Sequence, residues 1–196
     1  MRDRQNIKDL LSLQPDYTGF IFYKKSVRYI GERLPDLSYS HTKKTGVFVN
    51  EDLDNLLTTA KQNKLCAIQL HGQESPQYCK MVQQAGFEVI KAFAVDQNFD
   101  FNICKIYKPV TNLFLFDTKG HLPGGNGDTF NWKLLSNYQL NHPFLLSGGI
   151  NLKHIPAIKA LSHPQLIGVD LNSGFEIAPA YKNINQLKIF FNDLRS

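Results

Sequence analysis

Seven short apolar runs, separated by stretches of helical pattern, constrain this chain more than any other feature. They are "YTGFIF", "TGVFVN", "AIQLHG", "VIKAFAV", "NLFLFDT", "PFLLSGG" and "LIGVDLN". Each is close to continuous rather than strictly alternating. A strand with that pattern buries both faces, which is the condition of a parallel sheet covered by helices. Between the runs, "EDLDNLLTTAKQNK" puts Leu53, Leu56, Leu57 and Ala60 on one helical face. "SPQYCKMVQQAG" opens with Ser75 as an N-cap and Pro76 at the first helical position. "NWKLLSNY", "LKHIPAIKAL" and "NINQLKIFFNDL" continue the alternation, with Pro156 in or near the first turn of its helix.

Strand-helix repetition leaves two main architectures, an open doubly wound sheet and a closed barrel. The strand ends separate them. Asn50, His71-Gly72, Asp117-Thr118, Ser147-Gly148-Gly149 and the stretch from Asp170 to Gly174 all end apolar runs in polar groups or glycine. Polar groups at many strand ends suit a (β/α)8 TIM barrel, whose site is assembled from loops at one face. An open sheet would gather its ligand contacts at one switch point. The expected fold is therefore an α/β barrel, with one irregularity: seven strands are counted, and the first element is a helix. No low-complexity linker interrupts the 196 residues, so residues 1–196 read as a single domain.

Charge and cysteine usage narrow the function. The net charge is +5, but the 22 Lys and Arg form no block of the kind that tracks a nucleic-acid backbone. A small anionic substrate accounts for the same balance, and no nucleic-acid partner is expected. "MRDRQNIKDLLSL" lacks an apolar run of signal length, and no stretch approaches the roughly 18 apolar residues of a membrane span, so a cytoplasmic location is expected. Cys66, Cys79 and Cys104 form no CxxC pair and have no zinc-ligand spacing with histidine. They read as reduced thiols packed like small apolar residues, and no metal site is expected.

Three features carry chemistry. Gly148 and Gly149 follow the sixth run, and Asn172, Ser173 and Gly174 follow the seventh. Backbone N–H groups there can approach an anion, and the last two loops of a barrel commonly hold phosphate. A tight strand-to-helix turn is the alternative for the two glycines. Asp117 ends "NLFLFDT"; a carboxyl at the mouth of an apolar strand is partly desolvated, which raises its pKa and suits a general acid. Its alternative is a cap on the next turn. Arg28, in "YKKSVRYIG", can clamp a carboxylate or lie solvated at the surface. His71 can donate to substrate or bond a neighbouring loop. Trp132 reads as core.

In order along the chain, "DYTGFIFYKKSVRYIG", "KTGVFVNE", "IQLHGQESPQYC", "VIKAFAV", "FLFDTKGHLPGGNGDTFNW", "PFLLSGGI" and "GVDLNSGFEIAPAYKN" resemble phosphoribosylanthranilate isomerase, a barrel enzyme of tryptophan biosynthesis. The resemblance implies a cofactor-free Amadori rearrangement of a small phosphorylated substrate by a monomer or homodimer. It implies Asp117 as the acid, Arg28 and His71 in substrate binding, and Gly148, Gly149, Asn172, Ser173 and Gly174 around the phosphate. The "GHLPGGNG" loop would close over the substrate. The family's base is a cysteine ending the first barrel strand. That strand and cysteine do not precede "MRD" here, which matches the missing strand in the count and leads to the expectation that the chain as it stands is inactive. Two rivals follow: a non-catalytic phosphate-sugar binder that has lost the base, and an indole-glycerol-phosphate synthase using Lys91 or Lys119.

Overall fold

The computed structural model describes residues 1–118 and 131–195. Lys119 and the "GHLPGGNG" loop lie outside the described residues. Each of the seven apolar runs forms a strand: β1 (Tyr17–Ile21), β2 (Lys43–Phe48), β3 (Ala67–Leu70), β4 (Glu88–Val95), β5 (Leu113–Thr118), β6 (Phe144–Leu146) and β7 (Leu166–Val169). They pair in parallel, in chain order from β1 to β7. Because the order never reverses there is no switch point, and the open doubly wound alternative falls away.

Helix α1 (Arg4–Leu11) precedes the sheet. α2 (Leu53–Gln62) and α3 (Pro76–Gln84) follow β2 and β3. In α2, Leu56 and Ala60 are buried while Leu53 and Leu57 pack half-buried beside them. Ser75 caps α3, accepting from the N–H of Tyr78 at 3.2 Å. One segment departs from the sequence expectation, and one is helical where the sequence reading named no element. "NWKLLSNY" folds as a 3-10 helix over Trp132–Asn137, and 101–110 is helical in short pieces centred on α4 (Cys104–Tyr107). After β6 come α5 (Ile155–Lys159) and, at the end of the chain, α6 (Ile184–Arg195). A hairpin of β8 (Glu176–Ala178) and β9 (Tyr181–Lys182) precedes α6; its strands are too short and polar to carry an apolar signature. The connection from β1 to β2, residues 22–42, contains no helix.

Period-two alternation sorts the strand residues into two layers. Phe114 and Phe116 of β5 point to the helices, where Phe116 packs on Phe144 and Tyr138 with ring centroids 5.0 and 5.1 Å apart. Leu113 and Leu115 point the other way and join Ala67, Ile90 and Ala92 in a small inner cluster. Asp117 is next in that inward series. The run of aromatic residues stops on a carboxylate because one more step along the inward face leaves the inner cluster and enters the cavity.

The outer strands of the sheet differ from the middle ones. β3 is buried at every residue, whereas β7 is not, and Ile167 is 57% exposed. Among the described residues β1 and β7 pair with each other nowhere, so the sheet has two edges where a closed barrel has none. That agrees with the count of seven strands.

Candidate active site

One cavity of about 1180 Å³ runs from the inner face of the sheet into the opening between β1 and β7. The strand registers place the inward residues at its mouth. Leu115 is level with Leu145, so Asp117 and Ser147 stand one layer above them on neighbouring strands. Leu145 is level with Gly168, which puts Asp170 beside Ser147. Gln69 and His71 continue the inward series of β3. The side chains of Gln69, His71, Asp117, Leu145, Ser147 and Asp170 all line the cavity.

A chain of hydrogen bonds links three of them. Gln69 Nε2 lies 2.9 Å from His71 Nδ1, and His71 Nε2 lies 3.1 Å from Asp117 Oδ2. An amide nitrogen only donates, so Nδ1 accepts, and the imidazole proton on Nε2 points at the carboxylate. The other carboxylate oxygen, Oδ1, accepts the N–H of Thr118 at 2.9 Å. Asp117 thus makes the local backbone contact that a capping residue makes and also faces the cavity. His71, which the sequence left between substrate and neighbouring loop, bonds the β5 terminus.

The backbone on either side of His71 is fixed from the opposite face of the sheet. Lys91 Nζ donates to the carbonyls of Leu70 (3.1 Å), Gly72 (2.8 Å) and Ala92 (2.9 Å) and pairs with Glu74 at 3.1 Å. Glu74 in turn accepts from the N–H groups of Gly72 and Asn50. Lys91 is therefore fully engaged outside the cavity, which removes it as the acid-base lysine of a synthase.

The two glycine loops come together. Gly148 and Gly149 have φ of 94° and 63°, a region that side chains disfavour. A Cβ on Gly148 would run into Thr118, and one on Gly174 would run into the Ile150 carbonyl. The turn after β6 therefore rests against the residue next to Asp117 and against the turn after β7. Among the described residues neither Gly148 nor Gly149 donates its N–H to the backbone.

Arg28 is not a solvated surface arginine; its side chain is 15% exposed and paired with Glu176. Nε donates to both carboxylate oxygens, at 3.1 and 2.8 Å, and Nη2 lies 2.8 Å from Oε2. Lys182 Nζ lies 3.4 Å from Oε1 of the same carboxylate. Burial pushes the Glu176 carboxyl up, but the bond from Arg28 and the charge of Lys182 outweigh it, so it sits below the usual carboxylate range. Asp170 behaves oppositely. Burial and the nearby Asp117 charge push its carboxyl up, against a 3.0 Å bond from the Ser147 hydroxyl. Sequence reasoning missed Glu176 and Lys182 as site residues and noted Ser147 and Asp170 only as strand ends. For Ser147 and Asp170 the polar group ending an apolar run was the available signal; Glu176 and Lys182, in the short hairpin, had none.

Among the described residues, which include all three cysteines, no thiol lines the cavity. Cys79 and Cys104 are buried in α3 and α4, and burial pushes them up to about 11 and about 12. Cys66 is exposed rather than packed, because it lies ahead of β3 where the chain enters the sheet. Among the described residues no three or more His, Cys, Asp or Glu converge as a metal site, and no helix is long and apolar enough to cross a membrane.

The sequence model of a family described as N-(5'phosphoribosyl)anthranilate (PRA) isomerase matches residues 1–193. The N-(5'-phosphoribosyl)anthranilate isomerase of Parabacteroides distasonis is 42% identical over 200 residues, covering 99% of this chain and 90% of the relative. A crystal structure of monomers generated from the dimeric Thermotoga maritima enzyme superimposes with a TM-score of 0.82 at 29% identity, covering 100% of this chain and 95% of that one. A phosphoribosyl anthranilate isomerase in complex with reduced 1-(o-carboxyphenylamino)-1-deoxyribulose 5-phosphate gives 0.82 at 28% identity, with the same coverage.

Proposed function

The chain belongs to the phosphoribosylanthranilate isomerase family, and from that premise we propose how its residues divide the family's reaction. The reaction is the Amadori rearrangement of N-(5-phosphoribosyl)anthranilate to 1-(2-carboxyphenylamino)-1-deoxyribulose 5-phosphate, an aldose-ketose isomerisation. Asp117 gives a proton to the ribose ring oxygen as the bond from C1 to that oxygen breaks, and the aryl nitrogen lone pair forms the Schiff base. A base then takes the proton from C2 and the electron pair shifts toward nitrogen, giving the enol amine. The protonated base returns that proton to C1 while the C2 hydroxyl loses its proton to the Asp117 carboxylate, which yields the ketone and restores acid and base. His71 orients the acid. Arg28 holds the aryl carboxylate, and Gly148, Gly149, Asn172, Ser173 and Gly174 surround the phosphate.

The observation that carries this division is the contact of Gly148 with Thr118. It sets the anion-binding turn one residue from the acid, as a substrate with phosphate and ring oxygen on one sugar requires. The base is the remaining part. With Cys66, Cys79 and Cys104 away from the cavity, we assign the base to a strand filling the opening between β1 and β7, ending in Cys-Gly. The second reading is a binder that holds the substrate without converting it.

Turnover of freshly generated substrate, followed as loss of anthranilate fluorescence, and binding of the reduced product analogue separate the readings. Both should be measured in the 196-residue chain and in one extended by such a strand. Binding by both with turnover by the extended chain alone supports the assignment. Equal turnover by both places the base among the present residues and overturns it. Binding without turnover in either supports the binder. Residues 1–196 act as one domain in this reading. The three unpaired thiols support a reducing, cytoplasmic compartment. The likeness to a dimeric enzyme makes a monomer or homodimer the expected assembly, which sedimentation distinguishes.

A further inference from the structure

Among the described residues, side chains cross the opening between β1 and β7 and no strand ladder does. Glu176 begins β8 and receives Arg28 from the connection after β1, through Nε and Nη2. Its Oε1 also accepts the N–H of Ala180, at 3.2 Å. Lys182 in β9 reaches the other way, donating to the Asn172 carbonyl at 2.9 Å and to Asn172 Oδ1 at 2.8 Å while facing Glu176. The backbone of Lys182 is itself anchored: its N–H donates to Asn6 Oδ1 at 2.8 Å, and its carbonyl accepts from Asn6 Nδ2 at 2.9 Å. The Glu176 and Lys182 side chains are only 5% and 9% exposed. The hairpin therefore holds, through one sealed ion pair, both the arginine beyond β1 and the turn beyond β7.

The loops after β1 and β7 are tied to each other above the opening by one chain of side-chain contacts, from Arg28 through Glu176 and Lys182 to Asn172. That chain links the Arg28 guanidinium to the Asn172-Ser173 turn through two buried groups. We propose that Glu176 and Lys182 are positioning residues that set the distance between the carboxylate grip and the phosphate turn. The inference rests on the roles given above to Arg28 and Asn172. A substrate with an anion at each end feels that distance; a fragment carrying one anion does not, because it settles on whichever end it needs.

The test uses three ligands on the same protein: the reduced product analogue, which carries both anions, anthranilate, which carries the carboxylate, and inorganic phosphate. Glu176→Asp keeps the charge and shortens the reach, and Lys182→Met cuts the link to Asn172. Each should weaken the analogue by about tenfold or more while changing anthranilate and phosphate by less than about threefold. Lys182→Arg should recover part of the analogue binding. Equal weakening of all three ligands would mean a general structural role, and tighter carboxylate binding in Glu176→Gln would mean that Glu176 only competes for Arg28; either result overturns the proposal. Arg28→Ala is the control for the underlying reading. If it leaves the analogue unaffected, the carboxylate grip is wrong and the positioning role goes with it. If it weakens the analogue while the Glu176 and Lys182 variants do not, the grip stands and only the bridge fails. Far-UV circular dichroism and melting curves identify a variant that has not folded. In that event the milder Lys182→Arg decides, since a bridge predicts selective partial loss of the analogue and a structural role predicts none.

Discussion

His71 Nε2 meets Asp117 Oδ2 at 3.1 Å across a strand that lies between them. His71 follows β3 and Asp117 lies in β5, with β4 paired to both. The bond passes over β4 because that strand offers Ala92 to the inner cluster and Ala94 level with Asp117. Larger residues there would separate the imidazole from the carboxylate. Gln69 holds the imidazole from behind and directs its proton toward Asp117.

Asp117→Asn should lower turnover by about 10² to 10⁴, the usual contribution of a general acid. Binding of the reduced analogue should change little, because the amide keeps the volume and an acceptor oxygen. The measurement needs a chain that turns over substrate. Turnover close to the parent's, with the same pH profile, would return Asp117 to a capping role.

Gly148→Ala should abolish binding of inorganic phosphate, as followed by calorimetry. The positive φ disfavours a side chain, and the added carbon meets Thr118. The backbone strain costs about 1 to 3 kcal/mol, so a modest fall in melting temperature should accompany the lost binding. Phosphate affinity equal to the parent's would move the anion site elsewhere.

Lys91→Met should destabilise the fold by about 3 to 5 kcal/mol in urea unfolding, since it strands the Glu74 carboxylate without its cation. Adding Glu74→Gln should recover part of the loss, because the amide oxygen can still accept from Gly72 and Asn50. If the double variant is less stable than the single one, the uncompensated charge is not the cause.

Asp170→Asn should raise the melting temperature near neutral pH while weakening the site. The folded carboxyl is held above its ordinary value of 3.8, so the folded chain keeps a proton that the unfolded chain loses. Stability from this group is full below 3.8 and falls as pH rises toward the folded pKa. The amide has no such loss. Its advantage over the parent should be smallest in acid and grow with pH; a constant difference would exclude titration as the cause.

The sequence by itself determined the layers. Runs such as "AIQLHG" and "NLFLFDT" announce buried strands because hydrophobic burial acts on each residue through a period of two. The same period places Asp117 on the inward face with Leu113 and Leu115. Glycines after two successive strands were legible for a similar reason, since the backbone conformation they permit is a local property. Partners were not legible. Arg28 and Glu176 stand 148 residues apart, and His71 and Asp117 stand 46 apart. Nothing in either local sequence says which charge will face which. The β8–β9 hairpin was invisible because it is held by ion pairs and by Asn6 rather than by an apolar pattern. A charge finds its counterpart only after the curl of the sheet brings distant loops to one rim, and that depends on the packing of the whole chain.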